Sequence, residues 1–218
     1  MDSLLSWFEF MGDRSDDIVR LTFEHARYVF MVALAAIFTA VGVGILVRHR
    51  PLAREVALGV AAVFLTIPSL ALFVLFIPIV GLGFWPTFIA LYMYALLPIL
   101  RNTVTGLNEV SPAVLESARG MGMSRTQRLW RVEMPLAWPV IIAGVRVSVL
   151  MTTGIAAIAT LVAGGGLGDF IKNTVNRYPL PTSVESVWTG TVFTILLALA
   201  FDAAIAGIRR LTTPAGIR

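Results

Sequence analysis

The sequence predicts an all-α integral membrane protein with five membrane-spanning helices. Its 218 residues are 57% hydrophobic and only 14% charged, whereas soluble domains carry about 25% charged residues. The low charge and the mean hydropathy of +0.84 both favour a membrane protein over a soluble one. Several segments also reach the length of about 20 apolar residues that a helix needs to cross a hydrocarbon layer about 30 Å thick.

Five segments satisfy this length criterion to varying degrees. The second contains Pro68 and Pro78, which serve either as packing kinks or as a hinge along a transport pathway. The fourth is interrupted only by Arg146, and the fifth includes Asp202. The predicted spans are residues 28–47, 56–80, 84–100, 139–164 and 187–208.

The arginines predict the orientation of these spans. Lys172 is the only lysine, and most of the arginines fall in three connections that alternate along the chain. Cytoplasmic loops are enriched in basic residues, so we expect the N-terminus outside and the C-terminus in the cytoplasm. Residues 1–27 then form an extracytoplasmic segment whose amphipathic pattern suits an interfacial helix, and 209–218 form a cytoplasmic tail. The arginines concerned are Arg48, Arg50, Arg54, Arg101, Arg119, Arg125, Arg128, Arg131, Arg209, Arg210 and Arg218.

The polar connection between the third and fourth spans, residues 101–138, predicts two short helices. Ser111 and Pro112 are typical of a helix start, and Gly122 suits a chain reversal at the end of that helix. The stretch 124–127 matches a capping box that opens a second helix, which Pro135 and Pro139 are expected to end. An amphipathic helix lying on the membrane surface would give the same pattern without any partner.

The spacing within this connection resembles the cytoplasmic loop signature of ABC importer permeases. In that family the pattern is Glu-Ala-Ala, three residues, Gly, nine residues, Ile, any residue and Leu-Pro. The spacing is kept here, with serine, valine and methionine replacing the first alanine, the isoleucine and the leucine. The matching residues are Glu116, Ser117, Ala118, Gly122, Val132, Met134 and Pro135.

This resemblance implies the type I ABC importer permease fold, in which the loop docks into a groove on a separate ATP-binding subunit. We call residues 101–138 the coupling loop. Small residues would let its helix seat closely on the partner, Glu116 would offer a carboxylate, and Gly122 would make the turn. The chain has no Gly-Lys pair for a phosphate-binding loop, so it is predicted not to be an enzyme. ATP and Mg²⁺ would be held by the partner ATPase, with no cofactor in this chain.

Four further stretches resemble the osmoprotectant branch of these permeases, which imports glycine betaine, choline, carnitine or proline betaine. The implied partners are two ATP-binding subunits, a second permease that is identical or homologous, an extracytoplasmic solute-binding protein and the lipid bilayer, with no nucleic acid. The implied location is the cytoplasmic membrane of a bacterium or archaeon. The stretches are TIPSLAL at 66–72, YALLPILRNT at 94–103, ARGMGM at 118–123 and GGGLGDFI at 164–171.

Two groups of residues are further candidates for function. A glycine-rich bend on the outer side is the candidate outer gate. A dinucleotide-binding loop is the less favoured interpretation of these glycines, because they follow a membrane span and lie on the outer side. Arg146 and Asp202 lie at similar depth, roughly 10 Å inside the membrane, where they form an ion pair or snorkel separately to the interface. The gate residues are Gly164, Gly165, Gly166, Gly168 and Asp169.

The translocation path has candidates among polar and aromatic residues of the spans. Tyr92 and Tyr94, with Phe84 and Trp85 nearby, would attract a quaternary ammonium through cation–π contact, although they also fit an interfacial aromatic belt. No metal site is expected, because cysteine is absent and the two histidines lie at opposite ends of the first span. The path candidates are Thr66, Ser69, Tyr92, Tyr94, Met151, Thr152 and Thr153.

Three alternatives to osmoprotectant import remain at this point. One is a related permease for amino acids or another small zwitterion. Another is a membrane scaffold that anchors cytoplasmic partners, which would not need kinked spans or a glycine-rich outer loop. An intramembrane enzyme is disfavoured because it needs paired carboxylates or a serine–histidine pair at depth, and the spans offer only Asp202.

Overall fold

The computed structural model describes residues 2–177 and 182–213, and within those residues it is entirely helical, with no β-strand. The final residues of the predicted tail, 214–218, with Arg218 among them, lie outside the described residues. The helices are α1 Asp2–Asp13, α2 Ser15–Val47, α3 Pro51–Thr66, α4 Ser69–Val80, α5 Phe84–Asn108, α6 Pro112–Gly120, α7 Arg125–Arg128, α8 Met134–Ala156, α9 Gly168–Arg177 and α10 Ser183–Thr212.

Four helices in the described part of the chain are long and apolar enough to cross a membrane. They are α2, α5, α10 and the continuous helix Arg125–Val162, which includes α7 and α8. The predicted second span is instead two helices, α3 and α4, which meet at an angle of 99° across residues 67–68. Counted as one broken span, this pair brings the total to the predicted five.

Pro68 accounts for the break between α3 and α4, whereas Pro78 lies inside α4 without interrupting it. Pro68 has φ −57° and ψ 134°, an extended conformation in which a helix cannot continue. A proline also disfavours helical geometry at the residue before it, here Ile67. Of the two prolines, therefore, Pro68 separates two helices, whereas Pro78 does not.

The helix that contains the predicted first span begins earlier than the span itself, because α2 runs without interruption from Ser15 to Val47. Residues 15–27, which the sequence placed in a separate N-terminal segment, thus belong to the same helix as the first span. Asp16 and Asp17 lie in its first turn, where the positive end of the helix dipole stabilises carboxylates. The shorter helix α1 precedes it.

The expectation that Pro135 and Pro139 end the second helix of the coupling loop is wrong. Residues Leu129–Glu133 form a π-helical turn that joins α7 directly to α8, and Pro139 lies inside α8. The Met134 N–H donates to the Leu129 carbonyl, five residues back, so this turn is wider than an α-turn. Such a turn accommodates the ring and the missing N–H of Pro135, which follows it.

The described chain divides into two compact units that the helices traverse. The first comprises Met1–Val32, Ile67–Tyr92 and Val149–Phe201. Its core contains Ile18, Leu21, Leu167 and Phe170, with Phe10, Met11, Phe193 and Leu197 packed around them. The helix α1 is fastened to α10 by the Trp7 indole, whose N–H donates to the Thr189 hydroxyl at 2.9 Å.

The second unit comprises Ala33–Thr66, Met93–Ser148 and Asp202–Arg218. Its core contains Leu107, Ala137 and Ile141. Helix α8 approaches α5 so closely at Gly144 that an added Cβ would lie 2.6 Å from the Pro98 carbonyl oxygen. This unit contains the whole coupling loop, so the loop's geometry can be described within one compact body.

Candidate functional site

Helix α6 begins the central part of the coupling loop with one buried and one exposed face. Ser111 occupies the N-cap position and Pro112 the first turn, as predicted, although the Ser111 side chain makes no capping hydrogen bond. Ala118 is 1% exposed, whereas Glu116 and Ser117 are exposed. The small size of Ala118 therefore serves packing within this chain, and the exposed face is carried by Glu116 and its neighbours.

Gly122 ends α6 in a Schellman motif. The Met123 N–H donates to the Ala118 carbonyl at 3.2 Å, and the Gly122 N–H donates to the Arg119 carbonyl at 2.9 Å. Gly122 has φ +78°, in the left-handed region that residues with a Cβ adopt at a cost. The predicted chain reversal at this glycine is confirmed.

The predicted capping box at the start of α7 is also present. The Gln127 backbone N–H donates to the Ser124 hydroxyl oxygen at 3.3 Å, and the Ser124 N–H donates to the Gln127 side-chain oxygen at 2.9 Å. Both bonds satisfy backbone donors that a helix start would otherwise leave unpaired. The Schellman motif and this box meet at residues 122–124, so the turn between the two helices is fixed from both sides.

A buried ionic cluster, which sequence reasoning missed, anchors the π turn. Glu133 is 3% exposed and contacts two arginines: the Arg48 guanidinium lies 2.6 Å from one carboxylate oxygen, and the Arg128 Nε–H donates to the other at 2.8 Å. Arg48 directly follows α2, so the cluster ties the end of the first span to the coupling loop. We call these three residues the Glu133 cluster.

No sequence signal identified the Glu133 cluster, because Glu133 falls at the unconstrained position of the loop pattern. Removing a carboxylate from water is costly unless charged partners surround it, and two arginines meet that requirement here. The neighbouring signature residues are less buried: Met134 packs against the Leu107 core of the second unit, and Val132 and Pro135 are half-buried. Met134 thus acts as an apolar anchor of the loop.

Arg146 and Asp202 contact each other through both carboxylate oxygens. The Arg146 Nε–H donates to one oxygen, and the Nη2–H donates to the other at 2.7 Å. This two-pronged geometry is the strongest that an arginine and a carboxylate form. The side chains remain 47% and 23% exposed on the isolated chain, so the pair lies at the surface of its unit rather than in its core.

The candidate outer gate is a glycine-rich loop pinned by a buried histidine. Ala163, Gly165 and Gly166 all have positive φ, and an added Cβ at Gly168 would collide with the Ala157 carbonyl. His25, which is 1% exposed, accepts a hydrogen bond at Nδ1 from the Leu167 N–H at 3.3 Å. Its Nε2 lies 2.9 Å from the Thr153 carbonyl oxygen, to which it donates. His25 is one of the two histidines that the sequence placed at opposite ends of the first span, and this contact was not predicted.

Asp169 lies at the start of α9, beside the pinned loop. Its backbone N–H donates to the Gly166 carbonyl at 3.0 Å, which closes the turn into the helix. Partial burial raises the pKa of the Asp169 carboxyl, and the nearby Lys172 ammonium opposes that shift. The lysine itself donates to the Thr160 carbonyl at 2.9 Å.

The candidate path residues differ in accessibility. Tyr94, Thr152 and Thr153 are at most 2% exposed, so their side chains do not reach the surface of the described chain in this conformation. The other four candidates, Thr66, Ser69, Tyr92 and Met151, are partly or fully exposed. Tyr92 is the last of four aromatic rings that stack in a row, Tyr28, Phe84, Phe88 and Tyr92. The sequence did not predict this row.

Within residues 2–177 and 182–213, no group of three or more His, Cys, Asp or Glu side chains is placed to hold a metal ion. The described residues of the coupling loop provide an exposed helix face on α6, a turn fixed at Gly122 and the buried Glu133 cluster.

Comparison with known proteins identifies the family. Residues 33–213 match the family described as "Binding-protein-dependent transport system inner membrane component". The chain belongs to this family. It is thus the inner-membrane permease subunit of an ABC importer, and ATP hydrolysis takes place in a separate subunit. The family also gives its partners in outline, since such permeases work with a binding protein and an ATPase.

The permease is similar to curated relatives over almost its whole length. It is 40% identical over 96% of its chain to the osmoprotectant import permease OsmW of Salmonella typhimurium, covering 98% of that protein. It is 35% identical over 96% of its chain to the choline transport system permease OpuBB of Bacillus subtilis, covering 95% of it. The carnitine transport permease OpuCB of Listeria monocytogenes is 36% identical over 100% of this chain and 97% of its own.

A solved structure supports the fold. The MetNI methionine ABC transporter in an inward-facing conformation superposes with a TM-score of 0.77 at 25% identity, over 90% of this chain and 96% of the compared chain. The predicted type I importer permease fold is confirmed by this likeness.

Proposed function

We propose that this permease imports an osmoprotectant such as glycine betaine, choline, carnitine or proline betaine. The observation that carries the proposal is the 35–40% identity, over 96% of the chain or more, to permeases named for osmoprotectant, choline and carnitine transport. These solutes are small and carry a quaternary ammonium. The permease would form half of the translocation pathway, completed by a second permease that is identical or homologous.

In this proposal the coupling loop transmits the ATPase cycle to the spans. ATP and Mg²⁺ bind to two copies of the ATP-binding subunit, whose closure moves the docked loops. The exposed face of α6, with Glu116 and Ser117, supplies the contact, and the Schellman turn at Gly122 keeps α6 and α7 at a fixed angle. The Glu133 cluster carries that displacement to the end of α2.

The proposed orientation places the N-terminus outside and the C-terminus in the cytoplasm. The density of arginines in the coupling loop and at the ends of α2 and α10 supports it. The glycine-rich loop then lies on the outer side, where a solute-binding protein would deliver its ligand. We propose that movement of this loop opens the path, with Gly165 and Gly166 supplying the positive φ angles that it needs.

The experiment is solute uptake by the whole complex. The permease, its partner permease, ATPase and binding protein are reconstituted in proteoliposomes, and ATP-dependent uptake of labelled glycine betaine, choline, carnitine and proline betaine is measured, with labelled methionine for contrast. We expect uptake of at least one quaternary ammonium solute and none of methionine. Uptake of methionine alone would assign the permease to amino-acid import, which the MetNI likeness makes the second candidate. An intact complex that transports none of these solutes would contradict the proposal.

A further inference from the structure

The buried imidazole of His25 connects three elements of the first unit. His25 lies on α2, the helix that contains the first span. Its Nδ1 accepts from the Leu167 N–H in the glycine-rich loop, and its Nε2–H donates to the Thr153 carbonyl in α8. All three residues belong to the first unit. One side chain therefore joins the first span, the outer loop and the helix of the fourth span.

The Leu167 N–H depends on this acceptor because it is buried. Leu167 is 0% exposed, and a buried backbone N–H that lacks a partner is costly. The residue lies at the end of an irregular segment in which Gly165 and Gly166 have positive φ, so no regular helix supplies an acceptor there. A side chain of α2 thus completes the hydrogen bonding of the closed loop.

The loop also fits α2 in shape. A Cβ added at Gly166 would lie 3.1 Å from His25 Nδ1, and one added at Gly165 would collide with the Glu24 carboxylate. Glycine is the residue that allows so close an approach of one backbone to another element. A side chain at either position would push the loop away from α2.

The contact with Thr153 attaches the histidine to the end of α8 that leads into the loop. Thr153 is one of the last four residues of α8, whose carbonyls an α-helix by itself leaves without an intrahelical partner. The chain continues from there as the 3₁₀ turn Ala157–Val162. His25 supplies a donor at this change of helix type, so a displacement of the end of α8 acts directly on the imidazole.

The two hydrogen bonds require one tautomer of the imidazole. A nitrogen that accepts a hydrogen bond carries no proton, so the proton of neutral His25 lies on Nε2. Asparagine places a side-chain oxygen near the position of Nδ1 but does not reach Thr153. Glutamine extends an amide N–H toward the position of Nε2 and leaves Leu167 without its acceptor. Each substitution therefore removes one bond and keeps the other.

We infer that His25 is a positioning residue for transport, whose Nδ1 holds the glycine-rich loop closed and whose Nε2–H links that closure to the end of α8. Displacement of α8 during the ATPase cycle moves the imidazole, breaks the bond to Leu167 and releases the loop. One neutral hydrogen bond shifts such an equilibrium by about fivefold, which favours the closed loop and still allows it to open in every cycle. The inference rests on the proposed function, in which this loop is the outer gate.

The test measures how fast a buried residue beside the loop reacts from outside. Val162→Cys is the reporter, because Val162 is 2% exposed, directly precedes the loop and lies in a chain without cysteine. It is combined with His25, His25→Asn or His25→Gln in the assembled complex, and an impermeant thiol reagent is added without ATP. We expect His25→Gln to raise the labelling rate about fivefold, and His25→Asn, which keeps the acceptor, to label at the rate of the His25 protein.

Solute uptake tests the second bond. His25→Asn lacks the donor to Thr153, so its loop stays closed but no longer follows α8, and we expect uptake per ATP hydrolysed to fall about fivefold. Equal labelling rates for His25 and both variants in intact complexes would overturn the inference. Equally fast labelling of both variants would also overturn it, since the histidine would then only fill space. Unchanged uptake per ATP in His25→Asn would overturn the link to α8.

Hydrogen exchange of the protein with its natural His25 tests the inference even if the variants do not assemble. Peptides covering residues 163–170 are compared between the complex without ATP and the complex trapped with vanadate and the binding protein. We expect the Leu167 amide to exchange on the order of tenfold faster in the trapped complex. Unchanged protection in a complex that hydrolyses ATP would overturn the inference.

Leu82→Cys separates a failure of the inference from a failure of the proposed function. Leu82 is 65% exposed between α4 and α5, on the proposed outer side. If the impermeant reagent does not label it, the proposed orientation is wrong and the inference fails with it. If Leu82→Cys is labelled and any of the contradicting results above is found, the role of His25 alone is overturned.

Discussion

Glu116 and Ala118 lie two residues apart in α6, and the structure gives them opposite environments. Glu116 faces outward, whereas Ala118 is 1% exposed inside the second unit. The family signature places both in one motif, but only the exposed residue can reach a partner. The alanine is small because α6 packs against its own chain at that position. The loop signature therefore combines a packing requirement with a contact requirement.

Gly122 provides a residue-scale test of the coupling loop. Nothing lies within 4 Å of a Cβ added there, so the only obstacle to alanine is the φ of +78°. We expect Gly122→Ala to destabilise the turn by about 1–2 kcal/mol and to lower ATP-driven uptake per ATP hydrolysed. The measurements are the thermal midpoint of the complex and the ratio of solute uptake to ATPase rate.

Gly120 offers a matched control two residues earlier. It also has free space around an added Cβ, but it is not among the residues with positive φ. Gly120→Ala should leave the thermal midpoint unchanged or raise it, because alanine stabilises a helix by up to about 1 kcal/mol relative to glycine. If both variants behave alike, the turn geometry at Gly122 does not matter for coupling.

Arg146 and Asp202 illustrate how the bilayer changes the value of an ion pair. On the isolated chain the two side chains are 47% and 23% exposed, and in water such a pair would contribute little. At the predicted depth the surroundings are hydrocarbon or a second permease, where an unpaired charge is costly. The two-pronged contact is consistent with a structural clasp between α8 and α10.

At the scale of elements, the π turn at Leu129–Glu133 is the joint between the coupling loop and the fourth span. It makes α7 and α8 one continuous helix, so we expect a displacement of the loop to move the span. The Glu133 cluster adds a second connection, to the end of α2. The Glu133 carboxylate therefore connects the end of α2 with the helix that contains the fourth span.

We predict that Glu133→Gln destabilises this joint by about 3–5 kcal/mol, because it leaves two arginines that are each 9% exposed without their counter-ion. The thermal midpoint of the permease in the assembled complex would report the loss. Arg131→Gln, an exposed change in the same turn, is the control and should alter stability by no more than about 0.5 kcal/mol. Comparable midpoints for the two variants would show that the buried cluster is not a stabilising joint.

Some elements could be predicted from sequence because local chemistry determines them. The turn at Gly122 and the capping box at 124–127 depend on backbone conformation and on bonds between neighbouring residues, which are visible in the residue types. The apolar segments were recognisable for the same reason, since hydrocarbon imposes a length and a composition.

Other features were not predictable because they depend on contacts between distant residues. Pro135 looked like a helix end, but the helix continues through it from the π turn that precedes it. Glu133 occupies an unconstrained position in the motif, and its partner Arg48 is far away in sequence. The charged residues of 15–27 lower the local hydropathy, so hydropathy alone did not show that α2 begins at Ser15.

At the scale of the whole molecule, the permease is one component of a larger importer. Thr152, Thr153 and Tyr94 are buried in this conformation, whereas Thr66, Ser69, Tyr92 and Met151 reach the surface. The accessible four are the path candidates that a second permease could complete. The glycine-rich loop, held by His25 through Leu167 and Thr153, belongs to the unit that contains α9.

The central claim is that the exposed face of α6 docks onto the ATPase. Because this chain contains no cysteine, single-cysteine variants need no other change in it. The decisive measurement is cross-linking of Glu116→Cys to the ATPase subunit in intact membranes, compared with Leu82→Cys, an exposed residue between α4 and α5 on the predicted outer side. We predict a covalent adduct with the ATPase for Glu116→Cys alone, and labelling by an impermeant external thiol reagent for Leu82→Cys alone. External labelling of Glu116→Cys, with no adduct to the ATPase, would contradict both the docking role and the orientation.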